Sequence, residues 1–236
     1  MVATPAKKVR PIRAIIFDLD DTLVESTVDY VKFKTLVIER ITSHGEPEDL
    51  YDPHETIVTI IARYEERMRR AGIPGATIRN RLAELDTIMD KVELERVSET
   101  KPMRGATGLL KLLRKSGVKV GVLTRGCEEY TRSALARTGM LELVDGIECR
   151  SANSKPKPDP EAYLKLARRL GVKKEETLFV GDHPIDAQCA ANAGVPFVAV
   201  ETGDIPEEDL RKAGCIELFH DVGDMATWLE RILSSS

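Results

Sequence analysis

Ala14-Ile15-Ile16-Phe17-Asp18-Leu19-Asp20-Asp21-Thr22-Leu23 is the stretch from which the rest of this chain can be read. Its first four residues are wholly apolar, the pattern of a short parallel strand buried on both faces. It ends on carboxylates at Asp18, Asp20 and Asp21. Ligands of open α/β sheets bind at the carboxyl ends of strands. Crowded carboxylates repel one another and need a cation or a shared proton. An all-oxygen ligand set of this kind suits Mg²⁺. Capping of a following helix by Asp20, Asp21 or Thr22 would explain one of these residues but not the group.

Similar runs recur at Val118 to Thr124, more weakly at Gly146 to Cys149, then at Thr177 to Asp182 and Phe197 to Val200. Helical patterns separate them, and Asp159-Pro160-Glu161 reads as a helix start. Strands alternating with helices predict an α/β fold, a doubly wound parallel sheet. One interval breaks the rhythm. A βαβ unit takes about 30 residues, and the chain between Asp18 and Thr124 is more than three times longer. Residues 25–103 carry apolar stripes at Ile57, Ile60, Ile61, Tyr64 and Met68, and at Ile78, Leu82, Leu85, Met89 and Val92. Val28, Val31 and Val37 suggest a weaker first helix. The expected organisation is a core of residues 1–24 and 104–236 with a helical domain, 25–103, inserted. Val222 to Leu233 reads as a closing helix. Residues 1–13 read as a frayed basic lead-in and 234–236 as a frayed end.

Composition narrows the function classes. The 236 residues carry 35 Lys and Arg against 39 Asp and Glu, a net charge of −4. This argues against a protein that holds nucleic acid on a general basic surface. Aromatics are 5%, too few for a stacking platform. The inserted segment holds 12 basic and 16 acidic residues and so accounts for the whole excess. The remainder is balanced, so the acidic total is no argument against an anionic ligand. Cys127, Cys149, Cys189 and Cys215 lie far apart with no metal-type spacing, so reduced thiols and a cytoplasmic setting are expected. No run approaches a membrane span. For the assembly, a monomer or homodimer is expected.

The later strand ends repeat the chemistry of the first. Thr124-Arg125-Gly126 sets a hydroxyl and a turn able to present N–H groups to an anion. Lys155-Pro156-Lys157-Pro158 offers ammonium groups on a stiffened loop. Gly181-Asp182, with Asp186 one helical turn later, adds two carboxylates.

Together, in order, these motifs resemble those of the haloacid dehalogenase-like (HAD) hydrolases: D-x-D-x-T at Asp18 to Thr22, T-x-G at Thr124 to Gly126, K-P-x-P at Lys155 to Pro158 and G-D-x-x-x-D at Gly181 to Asp186. The insertion is similar to the family's helical cap of the C1 type. The closest pattern is that of phosphatases resembling phosphoglycolate phosphatase, which implies a small phosphorylated metabolite as the partner. The resemblance implies a Rossmann-like core and a role for each matched residue. Asp18 would attack phosphorus and form an aspartyl-phosphate. Asp20 would serve as general acid and then base. Thr124 and the backbone of Arg125 and Gly126 would bind the phosphoryl group, and Lys155 would neutralise it. Mg²⁺ would be held by Asp18, Asp182 and the Asp20 carbonyl, with Asp186 in support. Lys157 is expected to be a solvated neighbour, and His183 a residue outside the metal's own ligands. Asp20 favours phosphate-ester chemistry, because the dehalogenase members lack an acid there. Asp21 stands where the family often has Gly.

The resemblance also implies that the inserted domain selects the substrate. Arg70, beside the turn Gly72-Ile73-Pro74-Gly75, is a candidate for reading a second anionic group. Complementing its own helix dipole is the competing role. Two other functions use similar residues. One is a phosphosugar mutase resembling β-phosphoglucomutase. The other is a phospho-acceptor signalling module, against which Asp20 and the large insertion argue.

Overall fold

The computed structural model describes residues 11–150, 154–203 and 205–234. Most of the expected basic lead-in, and the last two residues of the chain, lie outside that range. Two compact units emerge. One runs to Ser26 and resumes at Thr100, and the other is Thr27–Glu99. These limits fall two to four residues inside the 25–103 expected.

The first unit is built on six strands: β1 (Ala14–Phe17), β4 (Lys119–Leu123), β5 (Gly146–Glu148), β6 (Thr177–Gly181), β7 (Phe197–Val200) and β8 (Glu217–Phe219). Their order is β5-β4-β1-β6-β7-β8, and every pairing is parallel. Two further strands, β2 (Val24–Glu25) and β3 (Lys101–Pro102), form a small antiparallel pair where the chain leaves this unit and returns. Helices α4 (Ala106–Lys115), α5 (Glu128–Arg137), α6 (Glu161–Arg169), α7 (Pro184–Ala193), α8 (Glu207–Lys212) and α9 (Val222–Ser234) complete the unit.

β1 is central, and all four of its residues are buried. Ala14 and Ile16 join Tyr163 and Leu166 of α6, and Ala187 and Ala190 of α7, in one apolar cluster. Ile15 and Phe17 alternate to the opposite face and are equally buried. That burial on both faces is why the strand reads as an unbroken apolar run. Phe17 is level with Val122 of β4 and Val180 of β6. Asp18, Leu123 and Gly181 therefore leave the sheet side by side.

The second unit contains α1 (Tyr30–Ser43), α2 (Ile57–Arg70) and α3 (Gly75–Glu95). The two longer stripes enter one core, with Ile60, Tyr64, Met68, Ile78, Leu85, Met89 and Val92 buried. The first stripe is corrected. Val31 is 76% exposed, and the buried side of α1 is Phe33, Val37, Ile38 and Ile41. Asp29 caps that helix by accepting the Lys32 N–H, so the buried face is counted from Phe33. β8 was not expected either. Its residues are only partly covered and carry no apolar run. Among the described residues no helix is long and apolar enough to cross a membrane. The four cysteines are free.

Candidate active site

The loop after β1 folds tightly around one carbonyl. Leu19 O accepts the N–H groups of Leu23 and Val24 at 2.9 and 3.0 Å. This turn requires Asp21 at φ 55°, a left-handed conformation that Asp tolerates and Gly adopts freely. The turn also brings Thr22, fully buried, to donate its hydroxyl to Asp182 Oδ1 at 2.9 Å. The threonine of the first motif is thus a support for the carboxylate of the last.

Asp182 and Asp186 flank the N-terminus of α7. His183 caps that helix, its Nδ1 accepting the Ile185 N–H at 3.1 Å. The Asp186 Oδ2 takes the His183 N–H at 3.3 Å. Gly181 has a steric reason: a Cβ there would lie 2.5 Å from Asp186 Oδ2 and 2.8 Å from its Cβ. Gly203 backs onto Asp182 in the same way, at 2.3 Å from Oδ2.

Lys157, not Lys155, is the lysine of this site. Its Nζ lies 2.7 Å from Asp18 Oδ1 and 2.6 Å from Asp186 Oδ1, with its side chain 3% exposed. It also sits over the Phe179 ring at 5.8 Å from the centroid. Lys155 is 73% exposed and faces Asp159 at 3.7 Å. The expected assignments are therefore exchanged. The motif can be read in two overlapping registers, and the second, Lys157-Pro158-Asp159-Pro160, runs directly into α6. Asp159 N–H donates to Pro156 O at 3.0 Å, closing a turn around Lys157 and Pro158, while Asp159 Oδ1 takes the Glu161 N–H. That turn carries Lys157 inward. The helix-start pattern Asp159-Pro160-Glu161, just ahead of α6, was the signal that could have decided the register.

The remaining residues come from β4 and α5. Thr124 is buried, and its Oγ1 accepts the Gly126 N–H at 3.0 Å. Its own N–H donates to Glu148 O at 3.0 Å. Arg125 places a buried Nη1 that has no hydrogen-bond partner among the described residues. Such a group is costly unless something accepts from it. Tyr130, fully buried in the first turn of α5, donates its hydroxyl to Asp20 Oδ1 at 2.5 Å. Sequence reasoning missed Tyr130, because nothing in a local pattern links α5 to the loop after β1. It also missed Glu148, whose 1%-exposed carboxylate accepts from Ser154 at 2.6 Å, Lys165 at 2.7 Å and Arg169 at 3.0 Å. Arg70 ends α2 at 77% exposure, paired with Glu66 at 2.5 Å.

Electrostatics follow from this crowding. Burial raises the Asp18 carboxyl above its ordinary value, against the pull of Lys157. Asp182 is raised further, by burial and then by Asp18 and Asp186. Burial alone would lower the Lys157 ammonium, but Asp18 and Asp186 outweigh it and hold it above its usual range. His183 is lowered to about 4, chiefly by burial and then by Arg125 and Lys157, which favours a neutral ring. Asp18, Asp182 and Asp186 each bring an oxygen to within 4.8 Å of the others. Hard, crowded oxygens with too little positive charge around them are the donor set a divalent cation such as Mg²⁺ fits. Asp186 already accepts from Lys157 and His183, so it is suited to holding the cluster together.

Comparison with known proteins agrees with this geometry. Residues 15–200 match the profile of the haloacid dehalogenase-like hydrolases. A phosphoglycolate phosphatase of Pseudomonas syringae pv. tomato is 30% identical over 225 residues, covering 87% of this chain and 80% of its own. An N-acetylmuramic acid 6-phosphate phosphatase of Pseudomonas aeruginosa is 26% identical over 200 residues, covering 84% and 85%. A hydrolase from Pseudomonas syringae shares the fold at a TM-score of 0.65 and 21% identity, covering 93% of this chain and 99% of its own. The match spans β1 through β7 and so takes in every strand end that contributes to the site, and on that ground the chain belongs to the haloacid dehalogenase-like hydrolases.

Proposed function

We propose that the protein hydrolyses small phosphomonoesters in a Mg²⁺-dependent reaction through an aspartyl-phosphate on Asp18. The observation that carries this reading is Lys157, buried between Asp18 and Asp186. A buried cation in that position favours the ionised form of Asp18 against the cost of burial, orients the carboxylate, and offsets the charge of an incoming phosphoryl group.

Asp18 attacks phosphorus with the oxygen not bound to Lys157. Asp20 gives a proton to the leaving oxygen and later takes one from the attacking water. Thr124, with the N–H groups of the turn after it, holds the phosphoryl oxygens. Asp18, Asp182 and the Asp20 carbonyl would hold Mg²⁺, supported by Thr22 and Asp186. When bound, the cation neutralises charge on the phosphoryl oxygens. The named relatives act on phosphoglycolate and N-acetylmuramic acid 6-phosphate. Phosphorylated acids of this kind are therefore the first substrates to try, and the buried Arg125 nitrogen is compatible with a further acceptor oxygen.

The test is hydrolysis of p-nitrophenyl phosphate with and without Mg²⁺. Activity should require the metal and disappear in Asp18→Asn. An inactive wild type, or activity untouched by that substitution, contradicts the reading. Free phosphate as the sole product from a hexose 1-phosphate, with a bisphosphate primer present, separates hydrolysis from mutase chemistry.

A further inference from the structure

We propose that Tyr130 is a positioning residue for Asp20, fixing which carboxylate oxygen carries the catalytic proton; the inference rests on the phosphatase reading above. The Tyr130 hydroxyl donates to Asp20 Oδ1 at 2.5 Å. The phenol is fully buried and firmly set. Its backbone N–H donates to Cys127 Sγ at 3.4 Å, the cap of α5. Its ring lies against Gly126, where a Cβ would come within 3.0 Å of it. Gly126 in turn donates to Thr124. One side chain therefore ties the residue that handles the proton to the turn that handles the phosphoryl group.

The consequence is chemical. An oxygen that accepts a phenol hydrogen bond is the poorer place for a proton, so the acid form of Asp20 carries it on Oδ2. In the first step the Asp18 oxygen–phosphorus bond forms and the phosphorus–leaving oxygen bond breaks. The Oδ2 proton passes to the leaving oxygen. In the second step water attacks phosphorus, Oδ2 takes a proton from that water, and Asp18 departs as carboxylate. The same oxygen serves both steps without rotation of the carboxyl, because Tyr130 holds the other one. A residue so held contributes through orientation, where small misplacements are expensive.

The test is Tyr130→Phe, which keeps the ring under Gly126 and removes only the hydroxyl. It is assayed on p-nitrophenyl, phenyl and p-methoxyphenyl phosphate, with Tm measured alongside. Poor leaving groups depend most on general acid help. Hydrolysis of the aspartyl-phosphate is common to all three esters, so the readout is kcat/KM, which reports transfer to Asp18; it should fall about tenfold or more on p-methoxyphenyl phosphate and about threefold or less on p-nitrophenyl phosphate. In an Asp20→Asn background, where the group it positions is gone, Tyr130→Phe should add almost nothing. Equal losses on all three esters, or a full additional loss in the Asp20→Asn background, mark a merely structural tyrosine and overturn the inference. A wild type inactive on all three esters defeats the phosphatase reading instead, and the inference with it.

Discussion

The strand ends of the α/β unit and the outer surface of the helical unit handle charge in opposite ways. At the strand ends of the α/β unit, Asp182, Asp186 and Lys157 are almost wholly buried, and each carboxylate has a named donor. In the helical unit the ion pairs Arg70–Glu66, Arg69–Glu65, Arg40–Glu84 and Lys32–Glu95 lie at the surface. Exposed pairs contribute little, because water and salt screen them and both side chains lose freedom. Buried ones cost several kcal/mol to desolvate, and removing one partner strands the other. The contrast predicts where substitutions will matter.

The sharpest way to break it is the pair Lys157→Met and Lys155→Met. The first strands two carboxylates and removes the charge that faces the phosphoryl group, so kcat should fall by about 10³ or more. The second removes a solvated ammonium and should leave kcat within about threefold of wild type. Steady-state assays at saturating Mg²⁺ check both. The reverse order would restore the register that the structure rejects.

Gly203→Ala comes next. Its Cβ would fall 2.3 Å from Asp182 Oδ2, so the carboxylate must move. The Mg²⁺ concentration giving half-maximal activity should rise about tenfold or more, by analogy with the loss of a group that orients a metal ligand. A metal titration at fixed substrate reads this directly.

Glu148→Gln is smaller and concerns stability. Burial pushes this carboxyl up, but Lys165, Ser154 and Arg169 outweigh it and hold it below the ordinary value. The protons bound on unfolding set the sign. A carboxyl lowered in the fold stabilises it above the ordinary glutamate range, and that stabilisation is lost as pH falls through the folded value. Its two cations are partly exposed, so the cost of the substitution at neutral pH is about 1–3 kcal/mol. Urea melts at neutral and acidic pH should show the difference from wild type shrinking in acid. The matching surface substitution, Glu66→Gln, which frees Arg70, should leave Tm within error of wild type.

The difference between the units also governs what could be read in advance. β1, β4, β6 and β7 were legible because burial on both faces demands continuous apolar runs. The stripes of α2 and α3 were legible because a helix buries one side. The placing of Asp18, Thr124 and Asp182 at neighbouring strand ends, and the approach of Asp186 to Asp18 and Asp182, were legible because strand ends fix their order along the chain. Lys157 was not, since two lysines fit one short pattern and only the position of the helix start separates them. Thr22 sits in a motif, yet its partner Asp182 is 160 residues away. Tyr130, Gly203 and Glu148 act across strands, where contact depends on register and not on local spacing.

The central claim is that Asp18 carries the phosphoryl group, and covalent capture tests it most directly. The enzyme is quenched during turnover of a ³²P-labelled phosphomonoester, reduced with borohydride and mapped by mass spectrometry. Acid-stable, base-labile label and a reduced aspartyl residue are expected at position 18, absent from Asp18→Asn and, with p-nitrophenyl phosphate, whose leaving group needs little acid help, still formed by Asp20→Asn. Turnover without label, or label on any other residue, contradicts it.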